Sequence, residues 1–491
     1  MKKKPELTQA QLFLDDCWIE EAQFISRQWH QPRRFPDPVL TCEHPWERGA
    51  LAMYGTVLHW RGKFRMWYGA YTDQPLRRVH YAESDDGVVW EKPQLGVCEC
   101  MGNKKNNVVV DALHPRYIDN ITVIDDPDDA EWPLKALFWE ATPRDWAQEH
   151  GAARGWGIYA ARSKDGIHWD RSPGLVLPKW IDRFNACSAK LDGKYVLWGR
   201  GRSLERGMLR NGRSVWRTES KDLRRWTKEE LVLERDPEDP LNMEYYSLVA
   251  FPYESLTLGG LERMYMSPDR MDTELVWSHD GGRKWERAAK RPAFLTPSPE
   301  RRWDDTWVNL PTNAPIRHGN RLWFYYSGRS GAHGSPYPSN HGAIGLAFLR
   351  IDGFASLQAA EREGRVVTRP MLWPSGDLYV NADPRRNLAA HPAFCSGEVR
   401  VEVRDASNRP LRGFTWQDCQ PIVTNTVFAA DSCAAVAWKD GKTARLLAGR
   451  QIRLAFQLRD AHLYSFRAAL PRKATAAPAV QPARRHRRRP N

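Results

Sequence analysis

The chain has 491 residues, 73 Lys and Arg against 60 Asp and Glu for a net charge of +13, and 42% apolar residues. That length accommodates about two to four domains; the composition excludes collagen-like, coiled-coil and low-complexity chains, and no apolar run approaches the roughly 18 residues of a bilayer span. The 23 Trp are unusual and point to recurring aromatic positions or to a surface that stacks on sugars.

Most of the charge sits at the ends. Met1–Lys4 carries +3 and residues 467–491 carry +8, which leaves the body near +2. The Ala- and Pro-rich tail (468–491) cannot bury a core and is expected to be disordered. A near-neutral body argues against nucleic acid as a partner beyond non-specific contact through this tail. The N-terminus has a basic start but no apolar h-region, so a cytoplasmic protein without a membrane segment is expected. The eight cysteines offer one close pair, Cys98-x-Cys100, which is the wrong spacing for a zinc knuckle. Reduced thiols are expected, and no metal or cofactor.

Helical periodicity is confined to the N-terminal lead-in, residues 1–45. Beyond it a segment recurs with the frame Ser-x-Asp-Gly-x-x-Trp. It occurs at Ser84–Trp90, Ser163–Trp169, Ser220–Trp226 (Leu223 replacing Gly) and Ser278–Trp285 (one residue longer, Gly282 read as the extra one). A degenerate fifth copy keeps Asp352-Gly353. The frame is a hairpin end: Asp bonds its own backbone, Gly takes positive φ, and Trp folds back as a core hook. The Trp spacings are 79, 57 and 59 residues.

An aromatic strand precedes each copy: KFRMWYGAY, LKALFWEA, KYVLWGR, ERMYMS and RLWFYYSG. Another β-rich run lies before each of these, and short strands such as GLVLP, ELVLE, RPAFLT and RVVTRP follow. Five units of about four strands predict an all-β fold, a five-bladed β-propeller over 46–371. Period-2 strands such as GEVRVEVRD and QIRLAFQLRD then predict a β-sandwich over 372–467.

The strings QLFLDDCWIE, YGTVLHWRGKFRMWY, YAESDDGVVWEKPQLG and NKKNNVVV resemble bacterial proteins labelled glycosyl hydrolase family 32 N-terminal domain. VRVEVRDASNRPLRGF and RLAFQLRDAHLYSFRA resemble that group's C-terminal sandwich. The resemblance covers about residues 10–467 and implies a five-bladed glycosidase of the clan that includes families 32 and 43. It implies carboxylates at the starts of the innermost strands, one protonating the leaving oxygen and another attacking the sugar or activating water.

On that pattern the candidate catalytic residues are Asp119, Glu244, Asp305 and Glu47. Asp119 would hold the sugar or tune the acid, Glu244 would be the acid, and Asp305 or Glu47 the base. Candidate substrate-binding residues are Asn120, Asp182, Arg183, Asn185, Tyr245, Asp304, Trp307 and Trp46. The chain departs from the sucrose-cleaving family: the first-blade Asn-Asp-Pro-Asn motif is missing, and Asn185-Ala186-Cys187 stands where Glu-Cys would. The acidic run Asp125–Asp129 reads as a solvated hairpin turn, with calcium binding as the competing reading.

The expected function is therefore a glycoside hydrolase-like protein acting on an oligo- or polysaccharide. Two alternatives stand beside it: a phosphorylase using a basic pocket of Arg77, Arg78, Arg183 and Arg329, and a non-catalytic carbohydrate-binding propeller.

Overall fold

A computed structural model describes residues 6–47, 49–71, 78–111, 117–141, 155–200, 212–300, 302–332 and 341–469. Among them the chain is all-β, with strands joined by loops and single 3-10 turns. No helix among the described residues is long and apolar enough to cross a membrane. The lead-in is extended rather than helical, forming short strands at Gln11–Leu12, Ile19–Gln23, Ser26–Trp29 and Arg33–Arg34. The basic tail beyond residue 469 and Arg77 lie outside the described residues.

Five antiparallel meanders follow. The first runs Ala50–Trp60, Lys63–Tyr71, Val79–Ser84, Val108–Val110, and the second Tyr117–Asp125, Leu134–Ala141, Trp156–Ser163, Trp169–Pro178. The third is Phe184–Ala186, Tyr195–Gly199, Val215–Ser220, Glu230–Leu233. The fourth is Met243–Tyr253, Leu256–Met266 and Asp269–Ser278, edged by Glu286–Arg287 and Ala293–Leu295. The fifth is Trp307–Asn309, Arg321–Ser330 and His341–Arg350. Its outer edge comes from the lead-in, Arg33–Arg34 pairing with Phe348 and Ala347. Gly364–Thr368, the RVVTRP segment counted with the fifth repeat in the sequence, pairs instead with Gln451–Arg459 and Ile19–Gln23.

The first strand of each meander has an edge that no ladder covers, so its backbone groups need other partners. Small polar side chains supply partners on the first four and tie successive meanders together. Val57 N donates to Asn313 Oδ1 (2.8 Å), Val123 N to Thr56 Oγ1 (2.9 Å), Ala186 N to Thr122 Oγ1 (3.3 Å) and Ala250 N to Asn185 Oδ1 (2.9 Å). Single parallel bridges, Met271 to Trp307 and Gly342 to Ala50, join the fourth meander to the fifth and the fifth to the first.

The repeated frame closes the outside of the same joints. Asp86 Oδ1 accepts from Ser84 Oγ and from the N–H groups of Val88 and Val89, and Gly87 N donates to Ser84 Oγ. Asp165, Asp222 and Asp280 repeat the turn. In the fourth copy Gly282 makes the bond to Ser278 that Gly87 makes to Ser84, so the inserted residue is Gly281. The carbonyl after the turn then receives a donor from the preceding meander: Trp67 Nε1 to Gly166 O (2.7 Å), Trp198 Nε1 to Gly282 O (3.1 Å) and Tyr325 Oη to Gly87 O (2.7 Å). The frame tryptophans, half-buried, meet these same rings edge-on.

Two further sheets flank one buried cluster that includes Phe13, Trp373, Val401, Trp438, Phe456 and Phe466. One sheet is Ser26–Trp29, Ala355–Ala359, Ala461–Ala469, Asp377–Asp383 and Ala434–Ala435, with Gln11–Leu12 also on Ala461–Ala469. The other is Ile19–Gln23, Gly364–Thr368, Gln451–Arg459 and Met371–Leu372, with Glu398–Asp405 also on Gln451–Arg459. Val399, Val401 and Val403 alternate inward, as period-2 patterning requires. Arg350, at the end of the fifth meander, donates to Asn381 Oδ1 (2.6 Å) and Thr426 Oγ1 (2.8 Å) and so docks these sheets on the meanders.

Candidate functional site

The N-terminal ends of the meanders' first strands carry three β-bulges. The ladder slips between Ala52 and Thr56, between Asp119 and Ile121, and between Tyr245 and Ser247. A bulge leaves residues unpaired and re-aims their side chains. Tyr54, Asn120 (φ +50°) and Tyr246 stand at these three slips. Tyr54 Oη and Tyr246 Oη lie 3.5 Å apart, and Tyr54 and Asn120 line one recess, so the three ends meet.

Arg183 is the hub. Its guanidinium lies 4.3 Å over the Tyr54 ring, donates to Asn120 Oδ1 at 2.7 Å and makes a fork with Glu262, Nε to Oε2 at 3.1 Å. Burial works against its charge, but Glu262 and the tyrosine outweigh burial and raise its pKa. Arg183 N donates to Asp182 Oδ1 (2.8 Å), and Asp182 also pairs with Arg200. Arg200 lies 4.9 Å over Tyr246, and Arg213 covers the same ring at 5.4 Å. Arg213 Nε reaches Glu244 Oε2 at 3.4 Å. Burial and the charge of Arg200 push the Arg213 pKa down, against Glu244. Trp307 meets Tyr246 edge-on at 5.3 Å, with Arg329 at 4.6 Å from the Trp307 ring. Asp119 lines a small recess with Tyr54, Arg78 and Asn120.

The structure thus brings Asp119, Asn120, Asp182, Arg183, Glu244 and Trp307 together. Asp182 and Glu244 keep solvent access, with side chains 39% and 23% exposed.

Other sequence candidates lie elsewhere. Glu47 is fully enclosed: Tyr68 Oη donates to Oε1, and Lys92 Nζ (2.8 Å) and the N–H groups of Glu43 and His44 donate to Oε2. Burial opposes its charge, but Lys92 and Tyr68 hold its carboxyl below the usual value. It is an internal anchor, not an accessible base. Trp46 stacks on His44 and donates to Asn107 Oδ1 within the same region.

Asn185 spends its amide on Thr312 O and Ala250 N, as the edge cover described above. Tyr245 faces away and donates to Asp239 beneath Arg287, because the bulge after it reverses the strand's alternation; Tyr246 takes its expected place. Asp304 is buried under Tyr326 and beside Arg34. Asp305 Oδ1 accepts from the neighbouring Thr306 hydroxyl.

Tyr54, Tyr246, Arg200, Arg213 and Glu262 are the site residues that sequence reasoning missed. Of the expected basic pocket, Arg183 is committed to Glu262 and Arg78 lies 3.0 Å from Asp111. The acidic run is no open cage: Asp126 is buried and meets Lys190 and Tyr195, Asp128 meets Lys190, and Asp129 meets Lys135.

No protein-family model matches the chain, and no curated protein matches it in sequence. Similar solved structures include a β-1,2-mannobiose phosphorylase from Listeria innocua (13% identity, 66% of this chain and 97% of that one, TM-score 0.44). An N-acetylgalactosamine deacetylase from F. plautii aligns at 15% identity (72% and 96%, TM-score 0.42). A fructofuranosidase from Schwanniomyces occidentalis aligns at 9% identity over 90% of this chain and 98% of that one (TM-score 0.40). At that distance neither fold nor activity is carried over from them.

Proposed function

We propose that the five meanders are the blades of a β-propeller, that the C-terminal pair of sheets is a β-sandwich, and that the propeller mouth acts on glycosidic bonds of an oligo- or polysaccharide. The observation that carries this reading is the convergence of Asp119, Asp182 and Glu244 with Tyr54, Tyr246 and Trp307 at one end of the first strands. Carboxylates with solvent access, oriented by guanidinium groups, are what cleavage of a sugar linkage needs: a proton donor and a base or nucleophile; the three rings are buried and pack the strand ends that carry them. The resemblance of the sequence to the family 32-like group points the same way.

Asp182, oriented by Arg200, takes the base or nucleophile role in place of the enclosed Glu47. Glu244, oriented by Arg213, keeps the proton-donor role. Asp119 holds sugar hydroxyls in the recess beside Tyr54.

The test is turnover on a glycan panel. Asp182→Asn and Glu244→Gln should each lower turnover about 100- to 10,000-fold with the fold intact. Glu244→Gln should be spared on aryl glycosides, whose leaving groups need no proton. Full activity in both variants removes this site assignment.

A second reading, phosphorolysis, is favoured by the Arg200 and Arg213 guanidinia that both lie against the Tyr246 ring. It predicts turnover that rises with added phosphate. Saturable glycan binding with no product over long incubation would instead mark a binding propeller.

A further inference from the structure

A cavity among the described residues lies at the junction of the lead-in, the fourth meander and the C-terminal sheets. It holds about 480 Å³ and is lined by Leu12, Trp18, Leu256 and Met371 among others. Three chemically different donors line the same cavity: Asp15, Cys17 and His279. Their carboxylate oxygen, thiol sulfur and imidazole nitrogen all lie within 4.8 Å of one another. We propose that Asp15, Cys17 and His279 form a site for one zinc-class divalent cation, clasping the lead-in to the fourth meander.

The donor set selects the ion. Calcium and magnesium take oxygen ligands, whereas one thiolate, one imidazole and one carboxylate suit a borderline-soft cation such as zinc. Asp15 and a Cys17 thiolate together balance a charge of +2. Three protein ligands beside an open cavity leave the fourth tetrahedral position to water or to a small molecule.

The ligands are already steered. Asp15 Oδ2 lies 2.8 Å from His279 Nε2 and accepts from Trp277 Nε1 at 2.8 Å, while Oδ1 accepts from Cys17 N at 2.9 Å. Such outer donors fix a ligand's orientation. The bond to His279 would give way to the metal, which displaces the shared proton.

His279 occupies the variable position of the fourth Ser-x-Asp frame, which Asp85, Lys164 and Lys221 fill in the other copies. The frame's turn, Ser278 to Asp280 at 2.8 Å, holds it rigidly. Cysteine spacing alone could not reveal the site, because its third ligand comes from the far side of the sequence.

The test uses the full chain stripped of metal by a chelator, then titrated with zinc and with cobalt(II). One equivalent should bind. The cobalt form should show a thiolate-to-metal charge-transfer band and the strong visible bands of tetrahedral coordination. Cys17→Ser should abolish the charge-transfer band and weaken zinc at least 100-fold, and His279→Gln should weaken it similarly. Trp277→Phe, which leaves every ligand in place, should weaken it about 10- to 100-fold. Zinc should raise the melting temperature of the parent chain and leave that of Cys17→Ser unchanged. Cys17 is exposed, so its variant should fold, and the circular dichroism of the aromatic core checks that. Absence of stoichiometric binding, or binding and spectra unchanged in Cys17→Ser and His279→Gln, overturns the proposal. Glycan turnover is not a readout, so the outcome is independent of the role given to the mouth.

Discussion

Arg183 and Glu262 form a fork that is closed from water on both sides, with side chains 2% and 0% exposed. Removing one partner of such a pair strands the other charge and costs about 3–5 kcal/mol. Glu262→Leu should therefore lower the melting temperature and release Asn120 and Tyr54, weakening sugar binding even though Glu262 has no solvent access. An unchanged melting curve would show that the fork does not hold the mouth.

Histidines set the acid response of the fold. Burial pushes the His80 pKa down from 6.5 to about 4, and burial with the charges of His462 and Arg350 does the same for His30. Between pH 6.5 and 4 the unfolded chain takes up protons at both rings that the folded chain refuses, so stability falls as the pH drops through that window. Each ring accounts for up to roughly 3 kcal/mol. Asp165 and Glu219 act lower down. Although burial opposes their charge, hydrogen bonds from His168 and from Lys194 hold both carboxyls down at about 2, so the stability they give is lost between about pH 4.5 and 2. Thermal melts from pH 7 to 2 should show two successive declines, and His80→Phe should shrink the first. An identical profile in that variant would exclude His80 as its source.

At the scale of the element, the joint between neighbouring meanders is a turn glycine under an aromatic ring. Gly166 has φ +80°, and a Cβ there would come within 2.6 Å of the Trp67 ring. Gly62 has the same φ with nothing within 4 Å. Gly62→Ala should cost about 1–2 kcal/mol from the left-handed backbone alone. Gly166→Ala should cost roughly 2–5 kcal/mol, because the collision is added. Chemical denaturation of the two variants measures the difference; equal losses would mean that the ring contact carries no stability.

The third frame shows the complementary solution. Leu223 sits at φ +60°, and Leu137, at the register position that Trp67 and Trp198 hold in their meanders, shares its buried cluster. These turns were legible in the sequence because their chemistry is local: Ser, Asp, Gly and Trp act within seven residues. The bulges were not. A bulge depends on how two strands slip past each other, and one slip exchanges Tyr245 for Tyr246 at the mouth. The placement of half of the candidate residues follows from equally local signals. Asp119, Asn120, Asp182, Arg183 and Glu244 precede or open strands and need only that boundary, whereas Asn185 and Glu47 have ordinary site-like sequence contexts and are consumed by groups distant in sequence, Ala250 N for Asn185 and the Tyr68 and Lys92 side chains for Glu47.

At the scale of the molecule, the lead-in is the stitch. It supplies the outer strand of the fifth meander and strands to both C-terminal sheets. Sequence patterning separated it as a preamble because two- to five-residue strands carry too little periodicity to announce their partners. Truncation of residues 6–34 should therefore abolish the cooperative melt of the whole chain rather than trim one domain. A truncated protein that melts like the parent would contradict this. The same pairing has a consequence for biosynthesis. Gln11 pairs with Phe466, so segments translated at opposite ends of the described chain finish as neighbours. The earliest strands must wait, edges open, for the last to leave the ribosome, and nascent chains should depend on chaperones until then. Joining residue 469 to residue 6 through a short linker, with new ends placed in an outer loop between meanders, would give a circular permutant that completes each unit as it emerges.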